Sequence, residues 1–153
     1  MIDSLFQTYQ NTPSNDLQAD ITLGLTATKN PKTTATILTN IKNSGIIRPQ
    51  DASRWFIYLI RTRESRDITW CWLQDNWSWI EKTFKGDKSY DEFLRYAASA
   101  LLTRTELEQF KCFTVRLRTE PALTRTIDLG LTDITARVGL IERDQAAVIA
   151  ALS

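Results

Sequence analysis

Residues 66–84 read RDITWCWLQDNWSWIEKTF. Trp70, Leu73, Trp77, Ile80 and Phe84 recur every three to four positions, which places them on one face of an α-helix. Ile68, Trp72 and Trp79 occupy a second face. A helix that is apolar around much of its circumference is covered on several sides, as in a layered array of helices. The spacing therefore predicts one long helix from Asp67 to Phe84, with Ser65 as its cap, inside an all-α chain. An aromatic stripe of this kind also suits a platform on which bases or sugars stack, but core packing explains the period without a ligand.

The flanking segments follow the same period. A short helix over residues 2–10 carries Leu5, Phe6 and Tyr9. After Asn11-Thr12-Pro13-Ser14, Leu17, Ile21, Leu25 and Thr28 mark a second helix with Ser14 or Asn15 as cap. Asn30-Pro31 opens a third by pairing a cap residue with proline at the first helical position. Its buried stripe is read as Ala35, Leu38 and Ile41, with Gly45 as the stop. Arg48-Pro49-Gln50-Asp51 opens a fourth, carrying Trp55, Phe56, Leu59 and Ile60.

Beyond the turn Gly86-Asp87-Lys88, Ser89-x-x-Glu92 reads as a capping box for a helix with Phe93, Tyr96, Ala97, Ala100 and Leu101 inward. Thr103-x-x-Glu106 and Thr105-x-x-Glu108 are overlapping boxes for the next, with Leu107, Phe110, Phe113 and Leu117. From Pro121 a last stripe runs through Leu123, Ile127, Leu131, Ile134, Val138 and Ile141. Asp133 and Arg137 form an i,i+4 pair on it, and a break near Arg143-Asp144 starts a terminal helix. About eight helices with short connections pack as antiparallel hairpins, in a superhelix or a bundle; the doubly covered helix favours the superhelix. No boundary divides residues 1–153, which read as a single helical-repeat domain.

Composition narrows function. The 153 residues contain nine Gly plus Pro and three Val against seventeen Leu and fourteen Ile, which favours few, long helices. There is no histidine, so a His-based zinc site, a Ser-His-Asp relay and an imidazole base are excluded from this chain. Cys71 and Cys112 are too few for a cysteine-only metal site and read as free, helix-buried thiols in a reducing compartment. Nineteen basic and eighteen acidic residues leave a net charge of +1, which gives no support for nucleic acid as a partner. The opening Met-Ile-Asp-Ser-Leu-Phe lacks a signal-peptide pattern, and the apolar run Ala146 to Leu152 is far short of the roughly 18 residues of a membrane span. A cytoplasmic protein with no membrane partner is expected. The sequon Asn76-Trp77-Ser78 falls inside the Trp-rich segment and reads as chance.

Few constellations carry chemistry. Asp87 with Asp91 and Glu92, and Glu106 with Glu108, are carboxylate groups at predicted helix starts, where acids offset the dipole. The run Arg61-Thr62-Arg63-Glu64-Ser65-Arg66 is the densest basic cluster. Arg61, Arg63 and Arg66 could hold a carboxylate or phosphate, since guanidinium forks suit planar anions; the run also reads as a solvated turn. Arg116, Arg118, Arg125, Arg137 and Arg143 read as a scattered surface set. No phosphate loop or dinucleotide fingerprint is present.

Arg48-Pro49-Gln50-Asp51, followed by Arg66, Trp70, Leu73 and Asn76-Trp77, resembles the C-terminal helical domain of the aminopeptidase N family of zinc metallopeptidases. The ending is similar too: Phe113, Pro121-x-Leu123-x-Arg125-x-Ile127, Ile134, Val138 and Glu142-Arg143-Asp144, closing on Leu152. Two positions depart: Cys112-Phe113-Thr114 stands where that family often has Phe-Phe, and Leu140 where it has Trp. Neither the family's His-Glu-x-x-His with its further Glu nor its Gly-x-Met-Glu-Asn loop occurs here, so no catalytic or metal residue carries over.

The resemblance implies a HEAT- or armadillo-like superhelix, an excised piece of a longer bacterial enzyme. In the family this domain closes over the catalytic domain of the same chain and limits peptide access, with zinc held in the parent and none in this chain. The chain alone would then be no enzyme, and arginines on a concave face could meet a peptide's carboxylate. The alternatives are a free-standing helical-repeat adaptor for a protein or peptide and, ranked last, a nucleic-acid module using Arg61, Arg63 and Arg66.

Overall fold

The computed structural model describes residues 1–153 and contains helices without strands. Nine helices follow in order: α1 Ile2–Asn11, α2 Asn15–Thr26, α3 Pro31–Ile41, α4 Pro49–Arg61, α5 Arg66–Asp75, α6 Trp77–Phe84, α7 Tyr90–Ala100, α8 Arg104–Val115 and α9 Pro121–Leu152. The chain is all-α as its periodicity predicts. It divides into two compact units, Met1–Phe93 and Leu94–Ser153, the division falling within α7.

In the first unit α1 packs on α2, α2 on α4, α3 on both α4 and α5, and α4 on α5. Helices two apart run the same way. The Arg48 guanidinium donates to Gln18 Oε1 at the starts of α4 and α2, and the Thr62 hydroxyl donates to the Thr26 carbonyl at their ends. Lys42 Nζ likewise donates to Asn76 Oδ1 where α3 and α5 both finish. Alternate helices are therefore stacked in the same direction, the order of repeated helical hairpins.

The stretch 67–84 is two helices, not one. Asn76 turns its side chain back, its amide donating to the Trp72 carbonyl at 2.9 Å, and its backbone leaves helical geometry. Such side-chain competition for helix carbonyls ends helices. The predicted face nevertheless survives the break: Trp70, Leu73, Trp77, Ile80 and Phe84 are all buried. The second face becomes an aromatic cluster. Trp72 and Trp79 meet edge-on at 6.1 Å, Trp72 lies 6.3 Å from Phe56, Phe84 meets Trp79 at 5.6 Å, and Phe93 closes on Phe56 and Phe84 at 5.2 and 5.0 Å. These rings hold one another, with Trp72 and Trp79 left half-buried, so ring packing accounts for the stripe.

Several stripe assignments shift by a position. On α3 the buried residues are Thr33, Thr34, Ile37, Leu38 and Ile41, while Ala35 is exposed. The helix reads its inward face from threonines whose hydroxyls need not reach water. Buried Thr22, Thr26 and Thr69 donate to the carbonyl four residues earlier, which satisfies the polar atom and leaves the methyl for the core. Leu5 and Leu17 are also exposed. The caps follow the sequence more closely: Ser14 accepts from the Leu17 amide, and Asn30 accepts from Lys32 ahead of Pro31.

In the second unit Thr103 and Glu106 form the capping box, which resolves the two overlapping candidates. α8 and α9 are antiparallel, with Arg104 paired to Glu142 at one end and Arg118 to Asp128 at the other. Helix α9 runs 32 residues without the expected break: no Pro or Gly follows Gly139 to interrupt it, and Arg143 and Asp144 pair with each other on its surface. Its inward residues are Leu123, Ile127, Gly130, Ile134 and Val138; Ile141 and everything from residue 139 onward are exposed. Arg137 does not pair with Asp133. It reaches instead to the carbonyls of Ala98 and Leu101 at 3.0 and 2.8 Å, capping the end of α7.

Candidate functional site

The basic cluster sits in the turn between α4 and α5, and its shape comes from Ser65. That residue is fully buried, and its hydroxyl donates to the Leu59 carbonyl at 2.7 Å. Its own carbonyl accepts from the Thr69 hydroxyl at 2.7 Å. Ser65 is thus not the side-chain cap predicted for α5; it ties the turn down on both sides. The turn gathers the three predicted arginines within six residues. Arg61, on the last turn of α4, and Arg63 are exposed, while Arg66 opens α5 half-buried. Arg66 Nε is sealed from water without a hydrogen-bond partner. Guanidinium groups presented this way can take a carboxylate or phosphate oxygen, with Glu64 among them as a competing anion.

A second polar arrangement, at the start of α4, links three helices, and only the i,i+3 spacing of Arg48 and Asp51 hints at it in the sequence. Arg48 Nε donates to Asp51 Oδ2 at 2.9 Å, and the Tyr9 hydroxyl from α1 donates to the same oxygen at 3.0 Å. Gln18 of α2 bonds Arg48 and the Tyr9 carbonyl. Burial pushes the Tyr9 phenol above its ordinary value of 10.0; the Trp55 indole works against this, and the Asp51 carboxylate reinforces it. The fold therefore favours the neutral phenol. That contribution is complete below about pH 10 and is lost as pH rises through the folded value. Tyr9→Phe is expected to cost about 1 kcal/mol at neutral pH by leaving Asp51 one donor short. It should also flatten the decline in stability above about pH 10, measured by urea unfolding across that range.

Two carboxylates that begin helices or turns have structural work. Glu106 serves the capping box. The Asp87 carboxyl is held below its ordinary value by the Ser89 backbone amide and then the Ser89 hydroxyl. Both thiols are free, but both are exposed, which corrects the expectation of burial. Cys71 falls between the inward positions Trp70 and Leu73, and Cys112 between Phe110 and Phe113, so each points off its helix's core stripe. No three His, Cys, Asp or Glu side chains converge to hold a metal ion, so the residues of this chain do not fit zinc. No helix is long and apolar enough to cross a membrane. The first unit also carries an apolar groove of about 520 Å³ between α3 and α5.

The sequence model of the ERAP1-like C-terminal domain family matches residues 1–136. An Aminopeptidase N of Lactococcus lactis subsp. cremoris (strain MG1363) is 31% identical over 153 residues, all of this chain and 18% of that protein. An Aminopeptidase N of Lactobacillus helveticus is 28% identical over 148 residues, 97% of this chain and 18% of that protein. Aminopeptidase M1-C of Oryza sativa subsp. japonica is 28% identical over 96 residues, 63% of this chain and 11% of its own length. The chain thus spans about 18% of the bacterial relatives it matches.

Proposed function

Because the chain belongs to the ERAP1-like C-terminal domain family, we propose that it is the non-catalytic helical domain of a zinc aminopeptidase, closing the active-site cavity and shaping peptide access. The observation that carries this reading is the pairing of two facts. The whole chain aligns with an Aminopeptidase N, yet it accounts for only 18% of that protein. It also contains no histidine. The zinc-activated water that cleaves an N-terminal peptide bond is then supplied by a catalytic domain in the rest of the same polypeptide.

What this chain contributes is shape and charge. Packed helical hairpins form a rigid wall that excludes bulk water and oversized substrates from the cavity. The turn bearing Arg61, Arg63 and Arg66 offers guanidinium groups to the carboxylate of a bound peptide. The setting is cytoplasmic, with peptides as substrates.

The test compares the chain alone, the full-length enzyme and the enzyme lacking this domain, with zinc present throughout. The chain alone should not turn over leucine p-nitroanilide. Loss of the domain should change kcat/KM for long peptides much more than for the anilide. Zinc-dependent turnover by the chain alone, or the same peptide-length profile with and without it, would overturn the reading.

A further inference from the structure

The groove between α3 and α5 has a composition that the aminopeptidase reading does not use. Leu38 forms its buried floor, and Ile68 and Trp72 are half-exposed along one wall. Ala35, Thr39 and Cys71 line it openly. The cleft holds about 520 Å³, the size of several side chains rather than of a water. Apolar surface of this kind is costly to leave wet.

Its polar rim is one-signed. Asp67 and Asp75 both line the groove, at opposite ends of α5. Eight residues of helix separate them by about 12 Å. Neither carboxylate has a hydrogen bond or ion pair. Lys42 Nζ reaches the Asp75 end of the groove but donates to Asn76 Oδ1 and not to Asp75. The groove therefore presents a greasy floor between two carboxylates that no side chain pairs directly. A partner helix laid along it would put apolar residues at i, i+3, i+4 and i+7 onto Leu38, Ile68 and Trp72. Basic residues about two turns apart on that helix would meet the two carboxylates.

We propose that this groove docks a cationic amphipathic helical segment of a partner polypeptide, held by apolar anchors between two carboxylate–cation pairs. The proposal stands independently of the aminopeptidase assignment, since it concerns binding by this chain without any cleavage. Cys71, exposed in the groove wall, is a built-in reporter of occupancy.

The probes are two fluorescein-labelled, end-blocked helical peptides. Both carry leucine and phenylalanine on one face; one has lysines seven residues apart and the other has glutamates there. Fluorescence anisotropy with the full chain should show the lysine peptide binding at least about tenfold more tightly, with affinity falling as salt rises. The double variant Asp67→Asn, Asp75→Asn should lose that preference while still folding, since both residues are exposed. In a Cys112→Ser background, the lysine peptide should slow labelling of Cys71 by a maleimide. Equal affinity for the two peptides, an unchanged preference in the double variant, or undiminished Cys71 labelling at saturating peptide would each overturn the proposal. So would concentration-dependent protection of Cys71 without peptide, which would mean that a second copy of the chain fills the groove.

Discussion

Trp55→Ala is expected to destabilise the first unit by about 4 kcal/mol, the upper range for truncating a buried aromatic. Trp55 is fully buried in α4. Its indole stacks on Phe6 of α1 at 5.4 Å and meets the Tyr9 ring edge-on at 5.3 Å. It therefore couples the first helix to the fourth, and its removal opens a cavity that neither aromatic neighbour can fill without leaving its own contacts. Urea unfolding should show the midpoint of this unit falling by roughly 2 to 3 M. Trp55→Phe, which keeps a ring in the cavity, should cost far less. A loss below about 1 kcal/mol for the alanine variant would mean that α1 is not packed on α4 as described.

Gly130→Leu should cost about 3 kcal/mol in the second unit, by overpacking rather than by cavity formation. A Cβ placed on Gly130 would lie 3.0 Å from Ala98 Cβ and 3.0 Å from Phe110 Cζ, closer than carbon atoms tolerate, and leucine adds three more carbons in that direction. Gly139, nine residues along the same helix, has nothing within 4 Å of its Cβ position. Gly139→Ala should accordingly stabilise by about 0.5 to 1 kcal/mol, since alanine is the better helix former and loses less entropy on folding. Thermal unfolding of the two variants should move in opposite directions. Two shifts of the same sign would show that α9 does not press against Ala98 and Phe110 at Gly130.

The contrast between these glycines shows where sequence reading stops. Period places Gly130 with Ile127 and Ile134 on the inward face and Gly139 off it, but nothing local says how closely Ala98 and Phe110 approach Gly130. The same holds for the arginines. Arg137 stands four residues after Asp133 at an ideal pairing distance, but its guanidinium goes to two α7 carbonyls that no spacing rule brings near. The basic turn was legible as a cluster, because consecutive arginines need no fold to be neighbours. The buried Arg66 Nε was not, because it depends on how Ser65 pins the turn. The groove between α3 and α5 was invisible for a related reason: its walls come from residues more than twenty-five positions apart.

By itself the sequence determined that this protein is a set of amphipathic helices, with a cap at Asn30 and with Ser14 and Thr103 each one of two candidate caps, and that histidine chemistry lies outside it. Those are local properties, set within one or two helical turns by period, capping and composition. Only the tertiary structure decided that the Trp-rich stretch breaks at Asn76, that Ala35, Ile141 and both thiols face outward, and that α9 continues unbroken to Leu152. Period tells which residues share a face of one helix. Which part of that face is covered depends on where a neighbouring helix begins and ends, and that is settled by packing between segments distant in sequence.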